Sequence, residues 1–283
     1  MIRKYAAIGL ILALALCAPA AAQKGNLKIA GSTTVLPLSQ VWAEAYMAKN
    51  PGVNISVSGG GSGTGISMLL NGSCEIANSS RPAKKKEIST ARARNSKLTE
   101  TKLAKDGLAI VVHPSNNVKN LTMAQIAAIY RGKATTWKEV GGDSSAAIVV
   151  VGRDSSSGTY GFFQQAVLGG GAYTKSMLSM PSNAAVAQAV SKSKDAIGYV
   201  GVAYAEQYEK QNKLRVVSVS RTTGEPGLKP TEQTVKDGSY PLFRFLYAYT
   251  LGSPKGLAGE FLKWCVGPEG QALVPKSGYM SLQ

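Results

Sequence analysis

Short apolar segments rich in β-branched residues alternate with segments of helical periodicity along most of the chain. This alternation restricts the fold more than any other feature of the sequence. Strands are predicted at residues 26–30, 54–58, 75–77, 107–113, 147–151, 196–200, 214–219 and 242–250. Helices are predicted at residues 36–49, 66–70, 121–130, 160–168, 184–191 and 256–266. The pattern is typical of α/β proteins with mainly parallel sheets, and 283 residues suffice for two domains with separate cores.

The first twenty-two residues have the features of an export signal. Arg3 and Lys4 give a basic start, an apolar run follows over residues 6–16, and small residues end at Ala22, where we predict cleavage. The apolar run is shorter than the roughly 20 residues that span a bilayer, which argues against an uncleaved anchor. Cys17 raises the question of a lipoprotein. A leucine rather than a small residue precedes it, so lipidation is the weaker interpretation.

Cleavage after residue 22 leaves two cysteines, Cys74 and Cys265, in the mature chain. An exported protein enters an oxidising compartment, where a disulfide between them would persist. Unpaired cysteines are also among the residues most often buried. The sequence leaves both interpretations open, because spacing alone does not bring two cysteines into contact.

The chain is strongly basic, with 32 Lys and Arg against 16 Asp and Glu, for a formal net charge of +16. Its densest basic run is residues 84–86, with Arg92 and Arg94 nearby in a segment of helical character. No aromatic residue interleaves with this run to stack on bases, so a solvated helix face is favoured over a nucleic-acid site. The positive field would speed the capture of a small anion.

Three loops share one design, in which a strand is followed by glycine and hydroxyl residues and then by a helix. A loop of this kind presents backbone N–H groups at the positive end of a helix, which favours anions. Any one of them is explained by ordinary helix capping. Three in one chain, with Arg153 directly before the last, favour an oxyanion site, and Arg81 has a comparable position after a strand. The loops are Gly31-Ser32-Thr33-Thr34, Gly61-Ser62-Gly63-Thr64-Gly65 and Ser155-Ser156-Ser157-Gly158-Thr159.

Motifs of common enzymes are absent. The glycine-rich loop at residues 59–65 lacks the lysine of a phosphate-binding Walker loop, the glycine spacing of a dinucleotide fingerprint and the spacing of a nucleophile elbow. The single histidine, His113, lies before Pro114 at a strand end and has no Cys or His cluster around it. Asp154 is a candidate carboxylate, but we expect it to hold the neighbouring Arg153. The sequence therefore predicts no catalysis, no metal and no cofactor.

Taken together, the loops resemble the phosphate-binding proteins of the bacterial phosphate ABC importer. The matches occur in order over nearly all of the chain after residue 22, and they are specific as a set. The matching segments are Gly31-Ser32-Thr33-Thr34-Val35-Leu36-Pro37, Gly59-Gly60-Gly61-Ser62-Gly63-Thr64-Gly65, Ser79-Ser80-Arg81-Pro82, Arg153-Asp154-Ser155-Ser156-Ser157-Gly158-Thr159, Ala196-Ile197-Gly198-Tyr199-Val200-Gly201 and Tyr240-Pro241-Leu242.

The resemblance implies a two-lobed fold of the type II periplasmic binding class. In that fold the chain crosses between the lobes twice, here near residues 107–112 and 240–246. Residues 23–109 and 243–283 would form one lobe and residues 110–242 the other. A ligand bound between the lobes would hold them closed, and a membrane permease would recognise the closed form.

The resemblance also implies which residues bind inorganic phosphate. Many family members have an aspartate that accepts the proton of hydrogen phosphate and repels sulfate; the matching position here is Ser80, and a hydroxyl does not repel sulfate in that way. The expected ligands are Thr33, Thr34, Ser62, Arg153, Ser157, Gly158 and Thr159, with Ser32, Ser80 and Arg81 as further candidates.

The predicted function is that of a periplasmic phosphate receptor, a monomer that delivers its ligand to ABC importer permease subunits in the inner membrane and binds no nucleic acid. A receptor for sulfate, molybdate or tungstate is the first alternative. A secreted phosphatase or phosphotransferase and a polyanion-binding surface protein follow as weaker alternatives.

Overall fold

The computed structural model describes residues 25–282, so the predicted export signal at residues 1–22 lies outside the described residues. The strands are β1 (Gly25–Gly31), β2 (Val53–Gly60), β3 (Ile76–Ser79), β4 (Leu98–Val112), β5 (Asn120–Thr122), β6 (Val149–Arg153), β7 (Leu178–Met180), β8 (Ala196–Gly201), β9 (Arg215–Ser220) and β10 (Phe243–Leu251). The α-helices are α1 (Leu36–Lys49), α2 (Ser62–Leu70), α3 (Lys85–Ala93), α4 (Met123–Tyr130), α5 (Gly158–Ala166), α6 (Asn183–Ser191), α7 (Val202–Lys210), α8 (Glu232–Lys236), α9 (Gly256–Val266) and α10 (Pro268–Gln271). Short 3₁₀ helices lie at Trp137–Val140 and Pro275–Ser277.

The sheet has two halves that meet on the long strand β4. The first half has the strand order β2-β1-β3-β10 and is completed by the first part of β4, which pairs with β10 up to Gly107. From Leu108 onward β4 pairs instead with β8 and β9, which belong to the second half together with β5, β6 and β7. Every pair made by β4 or β10 is antiparallel, and the other strand pairs are parallel.

In each half of the sheet, two helices begin at the edge where the parallel strands end. Helices α1 and α2 follow the parallel strands β1 and β2, and helices α5 and α6 follow the parallel strands β6 and β7. The carboxyl ends of neighbouring parallel strands lie at one edge of a sheet, which is where ligands bind in α/β proteins. Each half therefore presents two helix N-termini at such an edge.

Aromatic packing fixes the second half behind that edge. Phe163 of α5 stacks on Tyr199 of β8 with ring centroids 4.2 Å apart, and Tyr130 of α4 packs against both rings. All three side chains are fully buried. The Tyr199 hydroxyl accepts a hydrogen bond from the Arg153 backbone N–H at 3.1 Å, so this packing also fixes the end of β6.

Helices α1 and α9 have the predicted bounds, but strand β4 and helix α2 begin well before their predicted starts. Strand β4 begins nine residues before the predicted strand, because its first part alternates polar and apolar residues and lies at the seam between the halves. Helix α2 begins at Ser62, inside the segment predicted to be a glycine-rich loop. Strands β5 and β7 and helices α7, α8 and α10 were not predicted. Residues 121–122, which were predicted to begin a helix, belong to β5, and Thr122 caps α4 instead. No helix within residues 25–282 combines the length and apolar character that crossing a membrane requires.

Cys74 and Cys265 are buried free thiols that belong to different core clusters. Burial raises the pKa of Cys74 to about 11, and burial also raises the pKa of Cys265 well above its usual value. The sequence allowed either a disulfide between these cysteines or two buried free thiols, and the structure has two buried free thiols.

We expect both thiols of the mature protein to resist a disulfide reagent such as DTNB in the native state, because the thiolate is the reactive form and neither sulfur is exposed. Unfolding in urea without reductant should release two titratable thiols per chain. Finding none under those conditions would mean that the cysteines are paired by a disulfide.

Candidate functional site

The four helix N-termini of the two halves meet at one buried site. Helix α2 starts at Ser62, α5 at Gly158 and α6 at Asn183, while Thr34 lies two residues before α1. The N-terminus of a helix carries a partial positive charge of roughly half an elementary charge. Four of them around one point create a strongly anion-attracting environment before any side-chain charge is counted.

Four hydroxyl side chains line this point, and we call them the hydroxyl cluster: Thr34, Ser62, Ser80 and Thr159. Thr34 Oγ1 and Thr159 Oγ1 share a hydrogen bond of 3.0 Å, and Ser80 Oγ lies 3.4 Å from Thr159 Oγ1 and 3.5 Å from Ser62 Oγ. All four side chains are essentially inaccessible to solvent. Since a hydroxyl is both a donor and an acceptor, the cluster is able to donate several hydrogen bonds to a single anion.

An asparagine from the second half contacts the first loop. The Asn183 side-chain amide donates to Thr33 Oγ1 at 3.2 Å and to Thr34 Oγ1 at 3.1 Å. Its carbonyl oxygen accepts from the Gly201 backbone N–H at 3.3 Å. The first loop is also held by Tyr204, whose hydroxyl donates to the Thr33 carbonyl oxygen at 3.0 Å.

A buried arginine supplies the positive charge next to the cluster. Arg244 of β10 donates from Nη2 to Thr34 Oγ1 at 3.4 Å and from Nη1 to the Ser80 carbonyl oxygen at 3.3 Å. Its Nε and Nη2 both lie 2.8 Å from Oδ2 of Asp106, which is fully buried. Burial raises the pKa of Asp106, and the Arg244 guanidinium and the Val202 N–H act in the opposite direction. This ion pair therefore fixes the guanidinium at the edge of the cluster.

The two halves are in direct contact around the hydroxyl cluster. The Gly63 N–H donates to the Ser156 carbonyl oxygen at 2.8 Å, and Ser156 Oγ donates to the Gly60 carbonyl oxygen at 3.2 Å. A Cβ atom placed on Gly158 would lie 2.1 Å from Ser62 Oγ and 2.6 Å from Ser80 Oγ. The glycine therefore allows the start of α5 to contact the first half. We call this arrangement, in which the two halves are in contact around the hydroxyl cluster, the closed arrangement.

Comparison with known proteins identifies the family. The model of the PBP superfamily domain matches residues 18–269. The phosphate-binding protein PstS of Pseudomonas aeruginosa is 35% identical over 91% of this chain and 83% of its own length. The PstS of Bacillus subtilis is 34% identical over 90% of this chain and 80% of its own length.

The chain belongs to the PstS family.

Solved structures agree with this assignment to the PstS family. A Clostridium perfringens protein, described as a phosphate ABC transporter substrate-binding protein and solved with bound phosphate, superposes with a TM-score of 0.81. It is 32% identical and the match covers 92% of this chain and all of that one. An ABC-type phosphate transport receptor from Vibrio cholerae gives a TM-score of 0.69 at 29% identity, over 90% of this chain and 99% of that one. The type II periplasmic binding fold predicted from the sequence is confirmed.

The structure brings most of the predicted site residues together. Within this set the Ser32 hydroxyl closes the turn that precedes α1, and the Ser157 hydroxyl caps α5. Ser32 Oγ accepts from the backbone N–H groups of the two residues that follow Thr33. Ser157 Oγ accepts from the backbone N–H groups at the start of α5, at 3.1 and 3.3 Å. Both are buried beside the cluster and fix the loops that carry Thr34 and Thr159. The assignment of anion contacts to the individual residues stays a prediction.

Arg153 is fully buried at the end of β6, but its expected pairing with Asp154 is wrong. The guanidinium donates to the carbonyl oxygens of Met180 and Pro181 at 3.1 and 3.0 Å. Asp154 instead accepts hydrogen bonds from the backbone N–H and the hydroxyl of Ser156. A carboxylate two residues before a serine closes a tight local turn more readily than it reaches the side chain of the residue directly before it.

Arg81 has a different orientation from the one expected. Its Nη1 and Nη2 donate to the two carboxylate oxygens of Glu87 at 2.9 and 2.7 Å. The side chain is buried at the edge of the interface between the halves, and no hydrogen bond joins it to the hydroxyl cluster. The guanidinium that contacts the hydroxyl cluster is that of Arg244.

Sequence reasoning missed Arg244, Asp106 and Asn183. The sequence does contain a signal for Arg244. It is the single cation inside the apolar, aromatic segment at residues 242–250, where a buried charge without a partner would be costly. Asp106 similarly precedes a run of buried apolar residues. Asn183 follows Ser182 at a helix start and resembles an ordinary capping residue. No group of three or more His, Cys, Asp or Glu residues within the described part of the chain is suited to hold a metal.

Proposed function

We propose that this protein is an exported receptor that captures inorganic phosphate between its two lobes and delivers it to an ABC importer permease. The observation that carries this proposal is the meeting of Thr34, Ser62, Ser80 and Thr159 with four helix N-termini and the Arg244 guanidinium. Kinship with PstS proteins, including a similar protein solved with bound phosphate, supports phosphate as the anion. The relatives are transport receptors, and we assign no catalysis to this chain.

Binding would exchange contacts between hydroxyl groups for contacts to the anion. In the closed arrangement the hydroxyls of the two halves donate to one another, so a tetrahedral oxyanion between them would take over those hydrogen bonds. Thr34, Ser62 and Ser80 come from the first half, and Thr159 comes from the second. An anion held by both sets stabilises the closed form relative to the open one. This difference is what a permease would recognise.

The proposed lobes of the receptor are residues 23–109 with residues 243–283, and residues 110–242. Of these, residues 23, 24 and 283 lie outside the described residues. Strand β4 changes partners after Gly107, which supports the first crossing near residues 107–112. Strand β10 pairs only with β3 and the first part of β4, and Met280 bridges to Lys105, which supports the return of the chain to the first lobe.

We place the mature receptor in the periplasm as a monomer, with the permease subunits of the inner membrane as its partners. The basic start, apolar run and small residues before residue 23 support export. Fractionation of cells that express the full chain tests this placement, and N-terminal sequencing of the mature protein should start at Gln23.

Calorimetric titration of refolded, anion-free protein tests the ligand. Refolding matters because a tight receptor purifies with its ligand bound. Phosphate should bind with a one-to-one stoichiometry, and arsenate should compete with it. If sulfate or molybdate bound more tightly than phosphate, that anion would replace phosphate as the proposed ligand of the same site. If none of these anions bound, the proposed function would be wrong.

Ser80 should control the discrimination between phosphate and sulfate. In Ser80→Asp the new carboxylate accepts the proton of hydrogen phosphate but faces the unprotonated oxygens of sulfate. Like charges in a buried interface cost several kcal/mol, so sulfate affinity should fall at least about 100-fold while phosphate binding is retained.

Ser80→Asn is the matched control, because it has nearly the same shape without the charge. The ratio of the phosphate and sulfate dissociation constants, measured by calorimetry, is the readout. Equal loss of both anions in Ser80→Asp, or unchanged sulfate binding, would contradict the role given to this position.

A further inference from the structure

A cavity of about 600 Å³ lies between the two halves, beside the hydroxyl cluster. The first half contributes Arg81, Lys84 and the β10 residues Phe243, Phe245 and Tyr247, and the second half contributes Phe162 of α5. Arg244 also lines the cavity, with its guanidinium carbon 5.2 Å from the centroid of the Phe162 ring. Its volume falls within the range of sites that bind small organic molecules.

Aromatic rings form much of the wall. Phe243, Phe245 and Tyr247 alternate along β10, with neighbouring ring centroids 6.4 and 6.5 Å apart. Phe162 faces them from α5 across the cavity. Rings at such spacings accept another ring in an edge-to-face or offset arrangement. The surface therefore suits an aromatic group better than a small inorganic anion.

The charged residues of the lining are all basic: Arg81, Lys84 and Arg244. Another cation lies nearby, because Lys102 Nζ is 4.3 Å from the centroid of the Phe245 ring. The acids that pair with the two arginines, Glu87 and Asp106, do not line the cavity.

One donor at this wall is left without a partner. Arg81 Nε is the only buried side-chain nitrogen or oxygen within residues 25–282 that makes no hydrogen bond. It lies 3.5 Å from the position that a Cβ atom on Gly161, another lining residue, would occupy. A buried donor with no acceptor is costly. The nitrogen is closed off from the cavity in this arrangement, so the Arg81 side chain would shift to donate to an anionic ligand there.

We propose that this cavity binds a small aromatic carboxylate, with its ring between Phe162 and the β10 aromatics and its carboxylate toward Arg81 and Lys84. The site is separate from the hydroxyl cluster, so its existence does not depend on phosphate being the ligand there. Because the walls come from both halves, an occupant also stabilises the closed form. By linkage, each ligand then raises the affinity of the other.

The test is titration of the mature protein with phenylacetate, followed by calorimetry and ligand-observed NMR. Phenylacetamide is the neutral control, because it has the same ring and nearly the same shape. Phenylacetate should bind at millimolar or lower concentration and phenylacetamide about tenfold more weakly or worse, since only the former carries the charge. Absence of phenylacetate binding, or equal binding of the amide, would overturn the proposal.

Two variants locate the site. Lys84→Glu reverses a charge at the cavity and should weaken phenylacetate binding at least about tenfold. Lys85→Glu is the matched control, because Lys85 is the next residue, is exposed and does not line the cavity. Gln165→Trp, at the exposed rim, should block entry. Unchanged binding in both Lys84→Glu and Gln165→Trp would overturn the proposal.

A separate titration with inorganic phosphate keeps the two sites apart. All three variants should still bind phosphate, so loss of the cavity ligand alone identifies the second site. In the parent protein, saturating phenylacetate should tighten phosphate binding. If phenylacetate and phosphate instead competed, the ligand would occupy the hydroxyl cluster and the separate site would be ruled out.

Discussion

Replacing Arg244 with methionine is expected to abolish phosphate binding and to lower the free energy of unfolding by about 3–5 kcal/mol. Arg244 is 5% exposed, and its guanidinium contacts both the Thr34 hydroxyl and the Asp106 carboxylate. Methionine retains much of the volume but removes every donor. The fully buried carboxylate would then have lost its counter-ion, which accounts for the loss of stability.

The double variant Arg244→Met with Asp106→Asn separates the two effects. It removes both buried charges, so the free energy of unfolding, measured by urea titration, should recover most of the loss. Phosphate binding, measured by calorimetry, should stay absent because the guanidinium is still missing. A single Arg244→Met variant that binds phosphate like the parent would contradict the site.

Adding one methyl group to Gly158 should prevent closure. In Gly158→Ala the new Cβ would overlap Ser62 Oγ and Ser80 Oγ, at 2.1 and 2.6 Å in the closed arrangement. Overpacking of this kind usually costs about 1–3 kcal/mol, and here the halves can avoid it by staying apart. We therefore expect phosphate binding to weaken by about one to two orders of magnitude, while the free energy of unfolding changes little.

Solution X-ray scattering checks the cause of that loss, because an open receptor has a larger radius of gyration. Gly158→Ala should keep the open value when phosphate is added, whereas the parent should contract. Gly25→Ala is the control, since its added Cβ meets only the end of the Leu257 side chain at 3.3 Å. Contraction of Gly158→Ala with normal affinity would show that closure does not bring these residues together.

The helices whose bounds the sequence predicted well are those with clear local start and stop signals. Helix α1 begins beside Pro37 and ends before Asn50, Pro51 and Gly52, and helix α9 ends before Gly267 and Pro268. The first part of β4 was missed, because residues 98–106 carry charges and threonines and lie between two sheet halves. Its strand conformation is imposed by pairing with β10, which is a long-range interaction that no local pattern reports.

The same distinction applies to the site. Thr34, Ser62 and Thr159 were found because each belongs to a local strand, loop and helix motif. Arg244 was missed because its position next to Thr34 depends on the pairing of β10 with β3 and β4. Arg81 was included because it follows a strand, but a nearby acid, Glu87, turns its guanidinium away.

The most direct test of the hydroxyl cluster is to locate the anion itself. Arsenate is a tetrahedral analogue of phosphate, and the anomalous scattering of arsenic marks its position in a crystal of the refolded protein. We predict one strong peak whose oxygens lie about 2.5–3.5 Å from the hydroxyls of Thr34, Ser80 and Thr159. A peak found only on the basic surface at residues 84–86, with none among the hydroxyls, would contradict the account.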